Sequence, residues 1–116
     1  MAGFAARLTP LLQPGIIITL EGSLGAGKTT FCRAILRAAL GQDLQVPSPT
    51  FTLVQYYDGP DCPIYHYDLY RLEDPEELLA LDWEDARYNG AMLIEWPDRA
   101  GPYVPPEHIK IEIKPD

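Results

Sequence analysis

Positive charge is scarce in this chain: nine Lys and Arg stand against 17 Asp and Glu, for a formal net charge of -8 over 116 residues. Such a balance gives no long-range attraction to nucleic acid or anionic lipid, so any RNA involved should be held mainly by a different protein. Cysteine is equally sparse. Cys32 and Cys62 are not spaced for a metal site, Cys32 falls where a small buried helical residue is the ordinary reading, and nothing else suggests a disulfide or an oxidising compartment. No apolar run approaches the length that spans a bilayer, and the N-terminus lacks a basic stretch followed by an uninterrupted apolar segment, which points to a cytoplasmic protein. Internal repeats and low-complexity tracts are absent as well.

What is present suits one globular domain over residues 1–116, since hydrophobic residues make up 47% of the chain and its length supports one modest core. The organising stretch is Gly22-Ser23-Leu24-Gly25-Ala26-Gly27-Lys28-Thr29, which satisfies G-x-x-x-x-G-K-[ST]. An apolar, β-branched run, Ile16-Ile17-Ile18-Thr19-Leu20, precedes it after a Pro14-Gly15 turn and predicts a buried strand. A helical pattern follows, with Phe31 and Ile35 and then Leu36 and Leu40 on matching spacings and Gly41 placed to stop it. Strand, glycine loop and helix in this order make a phosphate cradle. The glycines permit dihedrals that a side chain forbids, so successive N–H groups and the positive helix end face the α and β phosphates. Lys28 then reaches the β and γ phosphates and the Thr29 hydroxyl serves Mg²⁺; Thr30 completes the set of nucleotide-binding positions from 22 to 30.

Around this element the chain reads as an amphipathic helix carrying Phe4, Leu8, Leu11 and Leu12 and disturbed by Pro10, then, beyond the central helix, an extended loop over 42–49. Strands over 51–57 and 64–69 are joined by Asp58-Gly59-Pro60-Asp61, too short for a crossover helix, so they form an antiparallel pair. Asp74-Pro75-Glu76-Glu77 is a helix start with a capping box, and Asp82-Trp83-Glu84-Asp85 repeats the pattern for another turn or two before Asn89-Gly90. Residues 91–96 form an apolar strand, 98–107 a surface loop, and 108–114 a last strand. The fold class is α/β, a three-layer sandwich like those of P-loop nucleoside triphosphatases (NTPases), with a mixed central sheet that includes an antiparallel pair.

Two carboxylates end strands. Glu95 follows four apolar residues and precedes a sharp break at Pro97, so it is assigned to the metal or a metal-bound water; Asp68 is assigned a supporting or water-orienting role. Thr50 and Ser48 lie where phosphate-switching proteins keep the residue that senses the γ phosphate. His66 reads equally well as a half-buried strand residue, because one histidine without geometry is no general base. Arg71 either turns toward the Asp68 cleft or pairs on the surface with Glu73 or Asp74. Tyr65, Tyr67, Tyr70 and Trp96 read as core or rim aromatics, Trp96 being of interest because it adjoins Glu95.

With these stretches placed, the sequence resembles the small bacterial ATPases of the tRNA threonylcarbamoyladenosine pathway. The resemblance rests on Gly25-Ala26-Gly27-Lys28-Thr29-Thr30, Ser48-Pro49-Thr50-Phe51-Thr52-Leu53-Val54, His66-Tyr67-Asp68-Leu69-Tyr70-Arg71 with Asp74-Pro75-Glu76-Glu77-Leu78, and Ile94-Glu95-Trp96-Pro97. It covers nearly the whole chain, and the last three motifs are specific to the family. It implies ATP and Mg²⁺ as ligands and, as partner, a two-subunit transferase that places threonylcarbamoyl on the tRNA adenosine beside the anticodon. It further implies that Lys28 is the phosphate lysine, Thr29 the metal hydroxyl, Thr50 the switch-like threonine, Asp68 the acid of the second strand pair, Glu95 the metal acid and Trp96 a tryptophan near the nucleotide. The family usually has an acid where Ser23 stands here. Two other readings compete: a small-molecule kinase, against which the chain offers no long arginine-containing lid insertion, and a nucleotide-gated interaction module that does not hydrolyse. The Asn-Lys-x-Asp segment that reads guanine is absent, so GTP is disfavoured.

Overall fold

The computed structural model describes residues 2–22, 27–41 and 53–113. Its first helix, α1 (Ala2–Leu8), gives way to a 3-10 turn at Thr9–Leu11. Pro10 causes the change, because it has no N–H to continue the α-helical ladder. Ala5, Leu8 and Leu12 are buried, and Phe4, although half exposed, sets its ring edge-on to Phe31 at 5.7 Å. The first strand and central helix lie where the sequence predicts them, as β1 (Ile17–Glu21) and α2 (Lys28–Leu40), with Gly41 at φ 126° as the helix stop.

The remaining strands are β2 (Val54–Asp58), β3 (Pro63–Asp68), β4 (Ala91–Glu95) and β5 (Ile109–Glu112). They form one sheet in the order β2-β3-β4-β1-β5. The pair β2/β3 is antiparallel, as its short turn requires, and β3/β4, β4/β1 and β1/β5 are parallel. The mixed sheet expected from sequence is present.

Side-chain alternation divides the core into two clusters, one on each face. Ile18 and Leu20 of β1, Ile64 of β3, and Ala91 and Leu93 of β4 pack beneath α1 and α2 against Phe31, Cys32, Ile35 and Leu36. On the other face Ile17, Tyr65, Tyr67, Met92 and Ile94 pack against Leu69, Leu72, Leu78, Trp83 and Ala100. These belong to the connections between β3 and β4 and after β4: a 3-10 helix at Pro75–Ala80, helix α3 (Trp83–Asn89) and a second 3-10 segment at Pro97–Tyr103. Three layers result, with the central strands covered on both sides as parallel strands need to be.

Three local expectations are corrected. The Asp74 capping box is present, with Glu76 N–H donating to Asp74 and the Asp74 N–H to Glu77, but the element that it opens has 3-10 rather than α pitch. Asp82 does not cap α3; it sits at φ 57° and ψ 28°, and its side chain makes no capping hydrogen bond. The expected surface loop over 98–107 contains ordered 3-10 turns, is buried at Ala100, and its Tyr103 carbonyl accepts from the Trp83 indole N–H at 3.2 Å. Among the described residues no helix is long and apolar enough to cross a membrane.

Candidate functional site

Parallel alignment brings the carboxyl ends of β1, β3 and β4 to one edge of the sheet, where open α/β sheets place their ligands. The register pairs Leu20 with Glu95 and Glu95 with Asp68, so both candidate acids stand level at this edge. Alternation then decides which way they face. Counting by twos from Ile64 reaches His66 and Asp68, and from Leu93 reaches Glu95, all on the face that α2 covers.

The start of α2 meets that row. Gly27, before the first helical residue, takes φ 98° and ψ 18°, and a Cβ there would meet no neighbouring atom, so the dihedral and not crowding calls for glycine. One residue on, Lys28 is buried; its ammonium donates to the Gly22 carbonyl at 2.8 Å and stands 4.0 Å from the centre of the Trp96 ring. Thr29, half-buried, donates its hydroxyl to Glu95 Oε1 at 2.7 Å. Two oxygens that the sequence assigns to one metal are thus adjacent, although they come from opposite ends of the chain. Thr30 is exposed on the same turn.

Glu95 is buried, and its second oxygen lies 2.6 Å from His66 Nε2. His66 is itself fully buried and was missed as a site residue by the sequence reading of a half-buried strand position. Its signal was available: it sits two residues before Asp68 and therefore on the same face of β3. Cys32, a buried helical residue as the sequence predicts, lies four residues after Lys28 on α2, and one donor atom each of Cys32, His66 and Glu95 lie within 4.8 Å of one another. Burial pushes the Cys32 thiol well up from its usual range, and the charges of Glu95 and Asp68 and a hydrogen bond to Glu95 push the same way, so it is a neutral thiol here.

Asp68 is half-buried and accepts the Tyr70 N–H at 3.2 Å. Burial pushes its carboxyl up from the ordinary range; the Tyr70 N–H opposes this, the Glu95 charge adds to it, and His66 and Lys28 oppose it more weakly. Asp68 therefore shares one electrostatic neighbourhood with Lys28, His66 and Glu95. Arg71 is exposed and makes no ion pair with Glu73 or Asp74 among the described residues. Ser23, Leu24, Gly25 and Ala26 of the loop and Ser48 and Thr50 lie outside the described residues.

Trp96 holds a left-handed backbone at φ 58° and ψ 54°, which is strained for so bulky a residue. Its ring is half-buried between the Lys28 ammonium on one side and Tyr70, 4.9 Å away centre to centre. An occupant that draws Lys28 off the ring changes the indole environment. Trp83 is buried in the opposite face of the sheet and supplies a constant background. Adding ADP or ATP to the protein should therefore give a saturable change in tryptophan emission that is absent from Trp96→Phe; an unchanged response in that variant refutes the placement.

A strand, a glycine-containing turn and a helix whose first residues bring a lysine and a threonine to a strand-end carboxylate define an α/β protein of the phosphate-loop class. The family model described as threonylcarbamoyl adenosine biosynthesis protein TsaE matches residues 1–116, and the chain belongs to that family. It is 41% identical over 111 residues to the tRNA threonylcarbamoyladenosine biosynthesis protein TsaE of Rickettsia typhi, covering 96% of this chain and 77% of that protein. To the protein of the same name from Bacillus subtilis it is 44% identical over 110 residues, covering 94% of this chain and 68% of the relative. Its fold resembles the crystal structure of Bacillus subtilis YdiB with a TM-score of 0.72 and 32% identity, over 97% of this chain and 68% of that one. Against other TsaE relatives, such as that of Rickettsia conorii, the chain spans 63% of their length.

Proposed function

We propose that the protein binds ATP with Mg²⁺ at the carboxyl edge of its sheet, hydrolyses it slowly alone, and serves the transferase that attaches threonylcarbamoyl to tRNA adenosine. The observation that carries this reading is the 2.7 Å contact between the Thr29 hydroxyl and Glu95. A hydroxyl and a carboxylate side by side are the hard oxygen donors that Mg²⁺ prefers, so the residues present fit the ion. When bound, Mg²⁺ would neutralise charge on the β and γ phosphates.

The chain's own residues do the rest. Backbone N–H groups over positions 22 to 30 receive the phosphates, Gly27 allows the turn, and Lys28 exchanges the Gly22 carbonyl for phosphate oxygens. Glu95 and Thr29 hold the ion, His66 fixes the far oxygen of Glu95, and Asp68 supports or orients the attacking water; Thr50 is proposed to sense the γ phosphate. Arg71 is exposed, and Arg99 stands over the Tyr70 ring at 5.7 Å, one aromatic removed from Trp96. A partner that closes the cleft or brings a cation there would raise the rate, as an external arginine does in other hydrolases of this type.

The test measures steady-state phosphate release from ATP alone and with the threonylcarbamoyl transferase complex. A slow basal rate that rises with the complex and falls back with EDTA is expected. Equal rates with and without the complex, together with no ATP-dependent association between them, would defeat the proposal. A phosphorylated metabolite in place of free phosphate would turn the reading to a kinase.

A further inference from the structure

Hydrolysis of a Mg²⁺ nucleotide uses oxygen donors, and it gives no role to the thiol that lies against them. Cys32 comes from α2, His66 from β3 and Glu95 from β4, and their three donor atoms converge within 4.8 Å at the centre of the sheet's helix-covered face. All three residues are buried, at 0, 0 and 2% exposure. Thiolate and imidazole are poor ligands for Mg²⁺ and good ones for zinc.

We propose that Cys32, His66 and Glu95 form a zinc-binding site, and that a zinc ion held there withdraws Glu95 from the magnesium nucleotide. The second half of this statement rests on the reading of Glu95 given above; the first half does not. Charge favours the ion: a thiolate and a carboxylate together balance a dication, so the filled site is neutral, as a buried one must be. Geometry needs only side-chain adjustment. A tetrahedral zinc with bonds of about 2.0 to 2.3 Å sets its donors roughly 3.3 to 3.8 Å apart. The 2.6 Å His66 to Glu95 contact opens toward that range, and no separation in the cluster exceeds 4.8 Å. Three protein donors leave a fourth position for water. On binding, the Cys32 thiol gives up its proton to solvent and the sulfur lone pair forms the metal bond.

The site also accounts for selectivity between two ions at one acid. Hard Mg²⁺ binds from the Thr29 side with phosphate oxygens, whereas zinc binds from the Cys32 side; Glu95 borders both, with one oxygen on Thr29 and the other on His66. Occupancy by one ion therefore excludes full engagement by the other.

Co²⁺ serves as a spectroscopic stand-in and is titrated into the full chain without nucleotide, followed by displacement with Zn²⁺. The expected result is one Co²⁺ per chain with a thiolate-to-metal charge-transfer band, lost on adding one equivalent of Zn²⁺ and absent in Cys32→Ser. Zn²⁺ affinity measured against a chromophoric chelator should fall at least about tenfold in Cys32→Ser, as loss of a ligand demands. Cys62→Ser, altered at a buried cysteine outside the cluster, should titrate like the wild type. No band in the wild type, or a band that persists in Cys32→Ser while Cys62→Ser loses it, overturns the site. In the second arm, stoichiometric Zn²⁺ should stop phosphate release from Mg²⁺-ATP in the wild type and be less effective on Cys32→Ser. A zinc-loaded protein that still hydrolyses at its starting rate overturns the exclusion while the site stands. A protein that shows no hydrolysis even without zinc overturns the reading of Glu95 and the exclusion with it, and the nucleotide-free titration still decides the site.

Discussion

Replacing Glu95 with Gln should leave nucleotide binding close to that of the wild type and lower phosphate release by about 100-fold or more, the scale on which loss of one preorganised electrostatic contact acts. The substitution removes the charge and keeps the shape. Glutamine's carbonyl oxygen can still accept from Thr29 where the carboxylate accepts at 2.7 Å, while its amide donates toward His66 Nε2, which moves the ring proton to the buried, unpartnered Nδ1. The desolvation cost relieved at a residue that is 2% exposed offsets part of that loss, so the melting temperature should fall modestly and the protein stay folded at the assay temperature. A rate defect in a folded protein that still binds nucleotide separates a role at the metal from a role in folding. The Mg²⁺ concentration needed for half-maximal activity should rise in the same variant, since the amide is a neutral ligand. Turnover near that of the wild type would pass the metal role to Asp68, which stands level with Glu95 on the neighbouring strand.

The parts of this fold that could be read in advance are those whose causes are local in the chain. Gly27 before Lys28 announces a strand-to-helix turn because the dihedral must be left-handed there, and the short link through Gly59 leaves β2 and β3 no choice but to run antiparallel. The strand end at Glu95 was legible because an apolar run stops there and Pro97 follows. The pitch of the segment at Pro75–Ala80 was not, since a capping box specifies how a helix begins and says nothing of how tightly it winds. Asp82 carries a capping side chain in a backbone conformation that cannot use it. The nearness of His66 and Cys32 to Glu95 could not be read for a different reason: both are remote from it in sequence, and only the pairing of β3 with β4 beneath α2 brings the three together. Alternation could have put His66 on the face of Asp68, but no periodicity states which helix covers that face.

Lys28→Ala should cost more in nucleotide affinity than any other single change at the site. Loss of a desolvated charged partner is worth about 2 to 5 kcal/mol, or roughly 30- to 4,000-fold in Kd. Among the contacts that the lysine leaves in order to bind are the Gly22 carbonyl at 2.8 Å and the Trp96 ring at 4.0 Å. A cation over an indole contributes about 0.5 to 2 kcal/mol. Its removal should leave the fold intact: truncation loses these contacts and the packing of the stem, and it relieves the cost of a buried charge. The expected outcome is a circular dichroism melt within a few degrees of the wild type, together with nucleotide binding reduced by the factor above. The free variant should also differ from the wild type in tryptophan emission before any nucleotide is added, because Trp96 loses its cation. Unchanged ATP affinity in a folded Lys28→Ala protein would remove the phosphate role from this lysine and with it the assignment of the whole glycine loop; an unchanged emission spectrum would show that ammonium and indole are not in contact in solution.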